Sequence, residues 1–586
     1  MHKLSSIFKI RHLIVKCFVL ALIVTCPLTM DNCFAQDNNL NKEMTLVRPY
    51  EPSVTDAQKI NTLPALNDTF RIKPAFNPVI RSRRINTRFE IDPIQPAKLQ
   101  PLPLPKLYHA YIKAGLGTNI SPLAEVAINT VRNKEYALGA KLNYQTSAGK
   151  AKLDNGKRVF AGYGDSGAEI FGKKFFYSSY LYGDLGVKGQ TVYNYGYDTE
   201  AIDTVFVKGD IRRRYIFADA NLGIRSSHFK TDKLNYDVRA GYHSAHNKIG
   251  DVYQYDDMGA PIGKEDIKYN ENAINLNAQL DNNMFGGNVD FNIYNRSQAF
   301  DSLRNNFTVG INPWFIMDND SIRLEVGMRV AAYKEGDGNL QYKIYPKIEF
   351  QFTLLKDIFI PFVGIDGNYK TNTFRSLIEE NPFITPGLVV PISNAKLQIY
   401  AGLKGSLTTK LSYYLRVDFT TSDKEHFFVN DTAYSKAQNY FTVVTDDLNT
   451  FKFSGELYYN PVESIEFGLK AYYSSFQPSV EKYAWHRPSF ESEFSVKYNL
   501  RNKVLVNFNL FGMGERYAKT FDGDDATPDF NVLKSVIDVN LGVEYRYTKS
   551  LSFFLNLNNL TGAKYYRWNH FPSQRFNAMA GFTYSL

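Results

Sequence analysis

The sequence predicts an all-β fold, a transmembrane antiparallel β-barrel of about 22 strands with a Pro-rich N-terminal periplasmic extension. Three observations carry this expectation. The chain ends on a strand of unbroken alternation. It begins with a secretory signal, and no apolar run in it is long enough for a membrane helix. Between these ends, short turns alternate with long polar loops over residues 108–586.

The closing strand is the clearest element. Phe576, Ala578, Ala580, Phe582, Tyr584 and Leu586 fall on one face, and Arg575, Asn577, Met579, Gly581, Thr583 and Ser585 on the other. Successive strand side chains point to opposite faces. An apolar face backed by a small or polar one fits a wall between lipid and water. Phe582, Tyr584 and Leu586 are therefore expected to face lipid and to form the C-terminal signal that outer-membrane assembly machinery reads.

At the other end, Lys3, Lys9, Arg11 and Lys16 precede an apolar run from Phe18 to Val24 and small residues near Ala35. This reads as a signal peptide over 1–35, cut between Ala35 and Gln36. A lipoprotein cut before Cys26 is the rival, and Thr25 fits it poorly. The apolar core is far short of the ~20 residues that span a bilayer as a helix. Cys17, Cys26 and Cys33 all lie before the cut, which leaves the mature chain without disulfides, thiolate metal sites or cysteine catalysis. The signal's four cations and one anion carry +3, leaving +6 of the full +9. So mild an excess, interspersed with acids, does not argue for nucleic acid. Aromatics make up 15% of the chain, with 40 Tyr and 43 Phe but 3 Trp, as expected of strands that face lipid on one side.

Residues 36–107 hold ten of the 24 prolines and the cluster Arg81, Arg83, Arg84 and Arg88. Proline denies a ladder its donors and favours extended chain. The segment is expected to be a periplasmic extension without a core of its own, a linker or a docking arm.

From Tyr108 onward the two faces recur. Ile322, Leu324, Val326, Met328 and Val330 oppose Arg323, Glu325, Gly327 and Arg329. Ile537, Val539, Leu541, Val543 and Tyr545 oppose Asp538, Asn540, Gly542, Glu544 and Arg546. In a barrel the polar face lines the lumen, so Arg323, Glu325, Arg329, Asp538, Glu544 and Arg546 are expected to be lumen-lining. A soluble all-β chain of this length would split into domains with linkers. Short turns are expected near 132–134, 229–232, 281–284, 318–320, 354–357, 408–410, 461–463, 500–502 and 548–550. The larger loops are expected near 147–165, 191–210, 247–267, 372–396, 422–448, 476–487, 516–532 and 561–573. An even strand count puts both barrel ends on the periplasmic side. The glycine-rich strands near 166–190 are the least sharply patterned.

The C-terminal portion resembles TonB-dependent receptors of Bacteroidota type. The resemblance rests on Leu541-Gly542-Val543-Glu544-Tyr545, on Leu555-Asn556-Leu557-Asn558-Asn559-Leu560-Thr561, on Tyr565-Tyr566, and on Arg575 entering the last strand. It implies a Gram-negative outer-membrane barrel acting in transport or uptake. The family's N-terminal plug domain has no counterpart here beyond the Pro-rich 36–107, so the resemblance is to a plugless barrel. Glu43-Met44-Thr45-Leu46-Val47 faintly resembles a TonB-contacting box. A non-transporting structural or assembly subunit, partnered by a surface lipoprotein or a periplasmic protein, is the alternative.

No motif carries catalysis or a cofactor. His243 and His246 fall on opposite strand faces, unsuited to one metal, and read as a solvated strand end. Asp522, Asp524, Asp525 and Asp529 read as a solvated acidic loop. Tyr413-Tyr414, Tyr458-Tyr459 and Tyr472-Tyr473 read as aromatic girdles at the membrane interfaces.

Overall fold

The computed structural model describes residues 107–199, 206–227, 233–249, 251–255, 261–266, 268–298, 301–435, 437–520 and 530–586. The signal, the Pro-rich extension, the Glu43–Val47 box and the Asp522–Asp529 cluster lie outside the described residues. Twenty-two antiparallel strands form one closed sheet. They are β1 (Ala110–Gly117), β2 (Ser121–Asn129), β3 (Tyr136–Ser147), β4 (Tyr163–Phe175), β5 (Ser179–Tyr193), β6 (Arg212–Ser226), β7 (Asn235–Ile249), β8 (Asn270–Asp281), β9 (Phe285–Gln298), β10 (Asp301–Asp318) and β11 (Ile322–Glu335). The second half holds β12 (Gln341–Phe352), β13 (Ile360–Lys370), β14 (Ser393–Thr408), β15 (Leu411–Asn430), β16 (Phe441–Val462), β17 (Ile465–Pro478), β18 (Phe490–Leu500), β19 (Val504–Met513), β20 (Val536–Arg546), β21 (Leu551–Asn558) and β22 (Asn577–Ser585).

Each strand pairs with its neighbour in sequence, and β1 pairs with β22 from Tyr111↔Ser585 to Gly117↔Met579. The terminal residue completes the seam: Leu586 N–H donates to the Ala110 carbonyl at 2.9 Å, and His109 N–H donates to the Leu586 carbonyl at 2.6 Å. Closure matters because an open edge in lipid would leave a row of backbone groups without partners, each costing several kcal/mol. The outward row is apolar and exposed, as at Leu142, Ile170, Leu185, Val326, Phe553 and Phe582. Soluble proteins do not leave such a belt uncovered.

The turn expected near 229–232 lies outside the described residues; the other expected short turns all lie at the end of the barrel where β1 begins and β22 ends, the periplasmic end by the rule for bacterial barrels. Their chemistry repeats. The side-chain oxygens of Asn133, Asn282 and Asn319 each accept from the backbone N–H groups two and three residues on. Thr548 does the same for Ser550 and Leu551. Such side-chain caps replace a turn's missing backbone partners. The glycine-rich stretch resolves into β4 and β5, in continuous register from Gly164↔Thr191 to Phe175↔Tyr180. At the external end the connections vary more than the pattern suggested. The β1–β2 turn spans only 118–120, with Asn119 and Ile120 at positive φ. Others carry small hairpins of their own, such as Lys150–Lys152 with Arg158–Phe160 and Arg516–Lys519 with Phe530–Leu533.

The last strand supplies a test. Phe582 sits opposite Phe553 and Ala114, whereas Thr583 sits opposite Ser552 and Lys113. On the lipid face a basic side chain costs about 2–4 kcal/mol at mid-membrane, an acidic one less, and both cost less toward the interfaces. Phe582→Asp should therefore lower surface abundance on whole cells and the heat-modifiable fraction on gels. Thr583→Asp, across from Lys113, should stay near wild type. Equal loss in both would refute the face assignment of the closing hairpin.

Candidate functional site

A 22-strand wall encloses a lumen too wide for its own side chains to fill. The filling comes from the external connection between β13 and β14. Residues 371–392 turn inward and carry the one helix among the described residues, α1 (Phe374–Glu380). Its sequence explains it. Thr373 is the N-cap, and its hydroxyl accepts from Ser376 N–H while Ser376 Oγ accepts from Thr373 N–H, a capping box with serine in the return position. Phe374, Leu377 and Ile378 share one face at helical spacing and are buried. Asn381 and Pro382 end the helix.

That apolar face enters a core built across the barrel. Phe374, Leu377, Ile378 and Ile384 pack with Tyr215 and Phe217 of β6 on one side and with Phe428 and Phe441 of β15 and β16 on the other. Trp568 and Phe571, from the loop between β21 and β22, complete it. Phe383 stacks on Phe571 with ring centroids 4.1 Å apart. A short parallel bridge joins Ile384 to Phe441. One loop thus touches walls that are far apart around the barrel.

Polar contacts fix the segment at both ends. Glu271 of β8 and Arg296 of β9 form an ion pair of 2.8 Å with side chains 4% and 3% exposed. Glu271 also accepts from the Phe374 N–H at 2.9 Å, and Arg296 donates to the Asn372 carbonyl at 3.0 Å. Arg375 donates to Asp219 of β6 and lies over the Phe217 ring. At the far end, Glu380 meets the buried His426 of β15 at 3.0 Å, and Tyr215 Oη donates to the Pro382 carbonyl at 3.0 Å. Beneath α1 lies a cavity of about 900 Å³, bounded by β1 to β9 and by Thr373 and Arg375. Its walls mix signs: Lys141 pairs with Glu169, and Asp219 meets both His243 and Arg375.

Two smaller apolar clusters close the external end beside this core. One joins Leu153, Tyr197 and Phe206, and the other joins Phe427, Leu448 and Trp485. His486 stands between loops. Its Nδ1 bonds the Phe428 carbonyl at 2.9 Å, and its Nε2 accepts from Asn569 N–H at 3.2 Å. That pattern needs a neutral ring protonated at Nδ1. Burial pushes the pKa down to about 3 from its ordinary 6.5.

The six charged residues singled out from sequence form two groups, on β11 and on β20, each on the face opposite the exposed apolar row. Arg323 pairs with Asp318 at 3.3 Å and Glu325 with Lys347 at 2.6 Å, while Arg329 donates to the Gly367 carbonyl. Asp538 accepts from Tyr565 Oη at 2.9 Å, and Arg546 lies 3.6 Å from Glu544. The structure does not bring the two groups together. Phe582, Tyr584 and Leu586 are exposed along the β22 edge of the seam.

Two expectations need correction. His243 is not at a solvated strand end; it faces inward, 2.5 Å from Asp219 beneath Arg375, and His246 bonds Asn270 on the other face. The tyrosine pairs are not girdles as pairs, because adjacent residues must part. Tyr459 and Tyr473 are exposed outward, whereas Tyr458 and Tyr472 turn inward to share Glu456. The reading as a long loop over 372–396 missed α1. The signal that marks it is Thr373 followed by the Phe374, Leu377 and Ile378 spacing. Nothing local marks Glu271, Arg296 or Asp219 as its anchors. No group of three or more potential metal ligands occurs among the described residues.

No protein-family model and no curated protein matches the sequence. The fold matches solved outer-membrane barrels. The FrpB iron transporter from Neisseria meningitidis superposes with a TM-score of 0.63 at 10% identity, over 82% of each chain. The ferripyoverdine receptor of the outer membrane of Pseudomonas aeruginosa gives 0.61 at 11%, over 82% of this chain and 72% of its own. The ferric-catecholate import receptor Fiu from E. coli K12 gives 0.61 at 11%, over 82% of each. The chain therefore has the barrel fold of these outer-membrane proteins.

Two outcomes follow from this geometry. Removing one partner of a buried ion pair costs about 3–5 kcal/mol. Glu271→Ala should loosen 371–392, seen as faster hydrogen exchange and new protease cleavage there, while heat-modifiability of the barrel persists. Protection unchanged would mean that the pair does not anchor the segment. His486 has its folded pKa depressed below the unfolded value, so its contribution is fully present above about pH 6.5 and is lost as pH falls toward about 3. Exchange protection around 565–571 should decline over that window in wild type and become flatter with pH in His486→Gln.

Proposed function

We propose that the chain is an outer-membrane transport protein of a Gram-negative bacterium, of Bacteroidota type. It is related to TonB-dependent receptors but has no folded N-terminal plug, and its lumen is occluded by its own segment 371–392. The observation that carries this reading is the core formed across the lumen by α1, Tyr215, Phe428 and Phe571. An external loop folded inward against opposite walls takes the place that a plug would fill. Transport is supported by the shared barrel fold, since the similar structures include an iron transporter and an import receptor. Their cargo does not carry over at 10–11% identity.

Under this reading Arg323, Glu325, Arg329, Glu544 and Arg546 line the path below the occluding segment, and Asp538 lines its external end, where it holds Tyr565. Residues 1–35 direct export and are removed between Ala35 and Gln36. Residues 36–107 form a periplasmic arm, with Glu43–Val47 as a candidate TonB contact. Phe582, Tyr584 and Leu586 are read by the assembly machinery. No enzymatic activity is assigned.

A second reading draws on the buried Glu271–Arg296 pair, which makes the segment costly to displace. In that reading the barrel conducts nothing and scaffolds a surface lipoprotein or a periplasmic partner held by the arm. Stoichiometric partners co-purifying in mild detergent, with no nutrient-specific growth defect on deletion, would favour it.

The occlusion is tested in planar bilayers. Replacing residues 374–390 with a short Gly/Ser linker should turn a nearly silent barrel into one with large, stable conductance steps. A replaced barrel that folds and stays silent would overturn the assignment of this segment as the occluder.

A further inference from the structure

We propose that the register in which the barrel closes is set by a lock at the seam: the Phe554 ring of β21, seated on the glycine pair Gly115 and Gly581 and clasped by Lys113. The seam needs such a device. β1 and β22 meet over seven residue pairs, from Tyr111↔Ser585 to Gly117↔Met579. A slip of one residue would turn every side chain to the wrong face, but a slip of two would keep all of them on the right one. Alternation therefore assigns the faces of the closing strands and leaves their register open.

The geometry of the lock selects one register. Gly115 and Gly581 lie opposite each other on the luminal face, and Gly581 also lies opposite Phe554. With no side chain at either glycine, the ring rests against both backbones and so touches three strands. A Cβ on Gly115 would stand 2.9 Å from Phe554 Cζ, and one on Gly581 would stand 2.6 Å from the same atom. Phe554 is only 8% exposed, whereas its neighbour Phe553, on the lipid face, is 48% exposed. Lys113, two residues from Gly115 on the same face, holds its Nζ 5.3 Å from the ring centroid, within cation–π range, and pairs with Glu125 of β2 at 3.7 Å. A slip of two residues one way would bring Lys113 opposite Gly581 and drive its Cβ into the ring. The opposite slip would bring Gly117 there and keep the seat, but it would carry Lys113 off the ring to a place opposite Ser585. The observed register has both the seat and the clasp.

The same joint recurs elsewhere on the luminal wall, so it is a unit of this sheet and not an accident of the seam. Phe171 of β4 lies opposite Gly139 of β3, with Lys141 Nζ 4.9 Å from its centroid. Phe362 of β13 lies opposite Gly402 of β14, with Lys404 Nζ at 5.6 Å. In all three joints the lysine stands two residues from the glycine on the glycine's own strand, as in Lys113-Ala114-Gly115, Gly139-Ala140-Lys141 and Gly402-Leu403-Lys404. Glycine inside a strand weakens it, and an aromatic ring laid across the gap restores the packing. Of the three, only the seam joint has two glycines face to face. There the ring passes beyond its partner strand and reaches the strand that arrives to close the barrel.

The lock concerns assembly and holds whether or not the barrel conducts, so it goes beyond the transport reading. Register is read by disulfide trapping of the full chain in outer membranes, with the linked peptides identified by mass spectrometry. Leu116→Cys with Ala580→Cys joins residues opposite each other in the observed register. Ala114→Cys with Ala580→Cys joins residues that the slip toward Lys113 would bring together. The first pair should cross-link efficiently and the second should stay near background. Phe554→Ala should raise the slipped-to-native ratio by roughly tenfold or more, because a buried ring supports one register and not the other. Phe554→Tyr, which keeps the ring, should leave the ratio at its wild-type value. Gly115→Ala should lower the native cross-link while Phe554 is present and have little further effect once Phe554 is Ala, since the two act through one contact. Phe171→Ala, which removes the ring of a joint away from the seam, should leave the ratio unchanged. A wild-type ratio in Phe554→Ala would overturn the proposal, as would an equal shift in Phe171→Ala. Should Phe554→Ala leave too little folded barrel to trap, an unaltered native cross-link in Gly115→Ala would overturn it instead.

Discussion

The structure depends on one seam, the pairing of β1 with β22. In lipid no water is present to satisfy a free strand edge, so the sheet must close or lose several kcal/mol for every orphaned group. The chain meets this demand at its last residue, where Leu586 exchanges hydrogen bonds with Ala110 and His109. Everything else follows from the number of strands that close. With 22 of them the lumen is a space that a protein must either fill or leave as a large pore.

Filling that space from the external end has physical consequences. A segment that crosses the lumen leaves the protection of the sheet, and its backbone polar groups need new partners. The wall supplies them. Glu271 takes the first N–H of α1, Arg296 takes the Asn372 carbonyl, and Tyr215 takes the Pro382 carbonyl. Two charges from adjacent strands thereby become buried, which is tolerable because each satisfies the other and a backbone group as well. The apolar face of α1 then turns the space between distant strands into a core. Stability and occlusion share the same contacts, so the segment cannot be opened without disturbing the packing of the external loops.

The legible part of this architecture is the part governed by period two. Alternation at Ile322–Val330 and at Phe576–Leu586 assigns faces because a strand has only two. Short turns at the periplasmic end are legible too, since Asn133, Asn282 and Asn319 act within three residues of themselves. What resists reading is long-range. His243 looks like a strand-end residue until Asp219, from the neighbouring strand, and Arg375, from a loop far along the chain, are placed beside it. The helix announced itself weakly, through Thr373 and three apolar residues, too short a run to stand out from a polar loop. Tyr458-Tyr459 and Tyr472-Tyr473 show the converse error. Two aromatics in sequence look like one feature, yet the pleat sends one outward and one to Glu456.

The external end adds a layer that strand periodicity does not address. His486 connects the occluding core to the external loops, because the same ring bonds Phe428, which packs in that core, and Asn569, in the loop between β21 and β22. A neutral imidazole can serve both because it donates on one nitrogen and accepts on the other, a division that a protonated ring or a lysine cannot reproduce. Asn569 also bonds Asn430 at the end of β15, the strand whose His426 receives Glu380 from the end of α1. Asn569, the β15 end and the C-terminal end of the occluding helix are thus joined by side-chain hydrogen bonds. The luminal segment and the external loop that carries Asn569 are therefore both tied to β15 by hydrogen bonds.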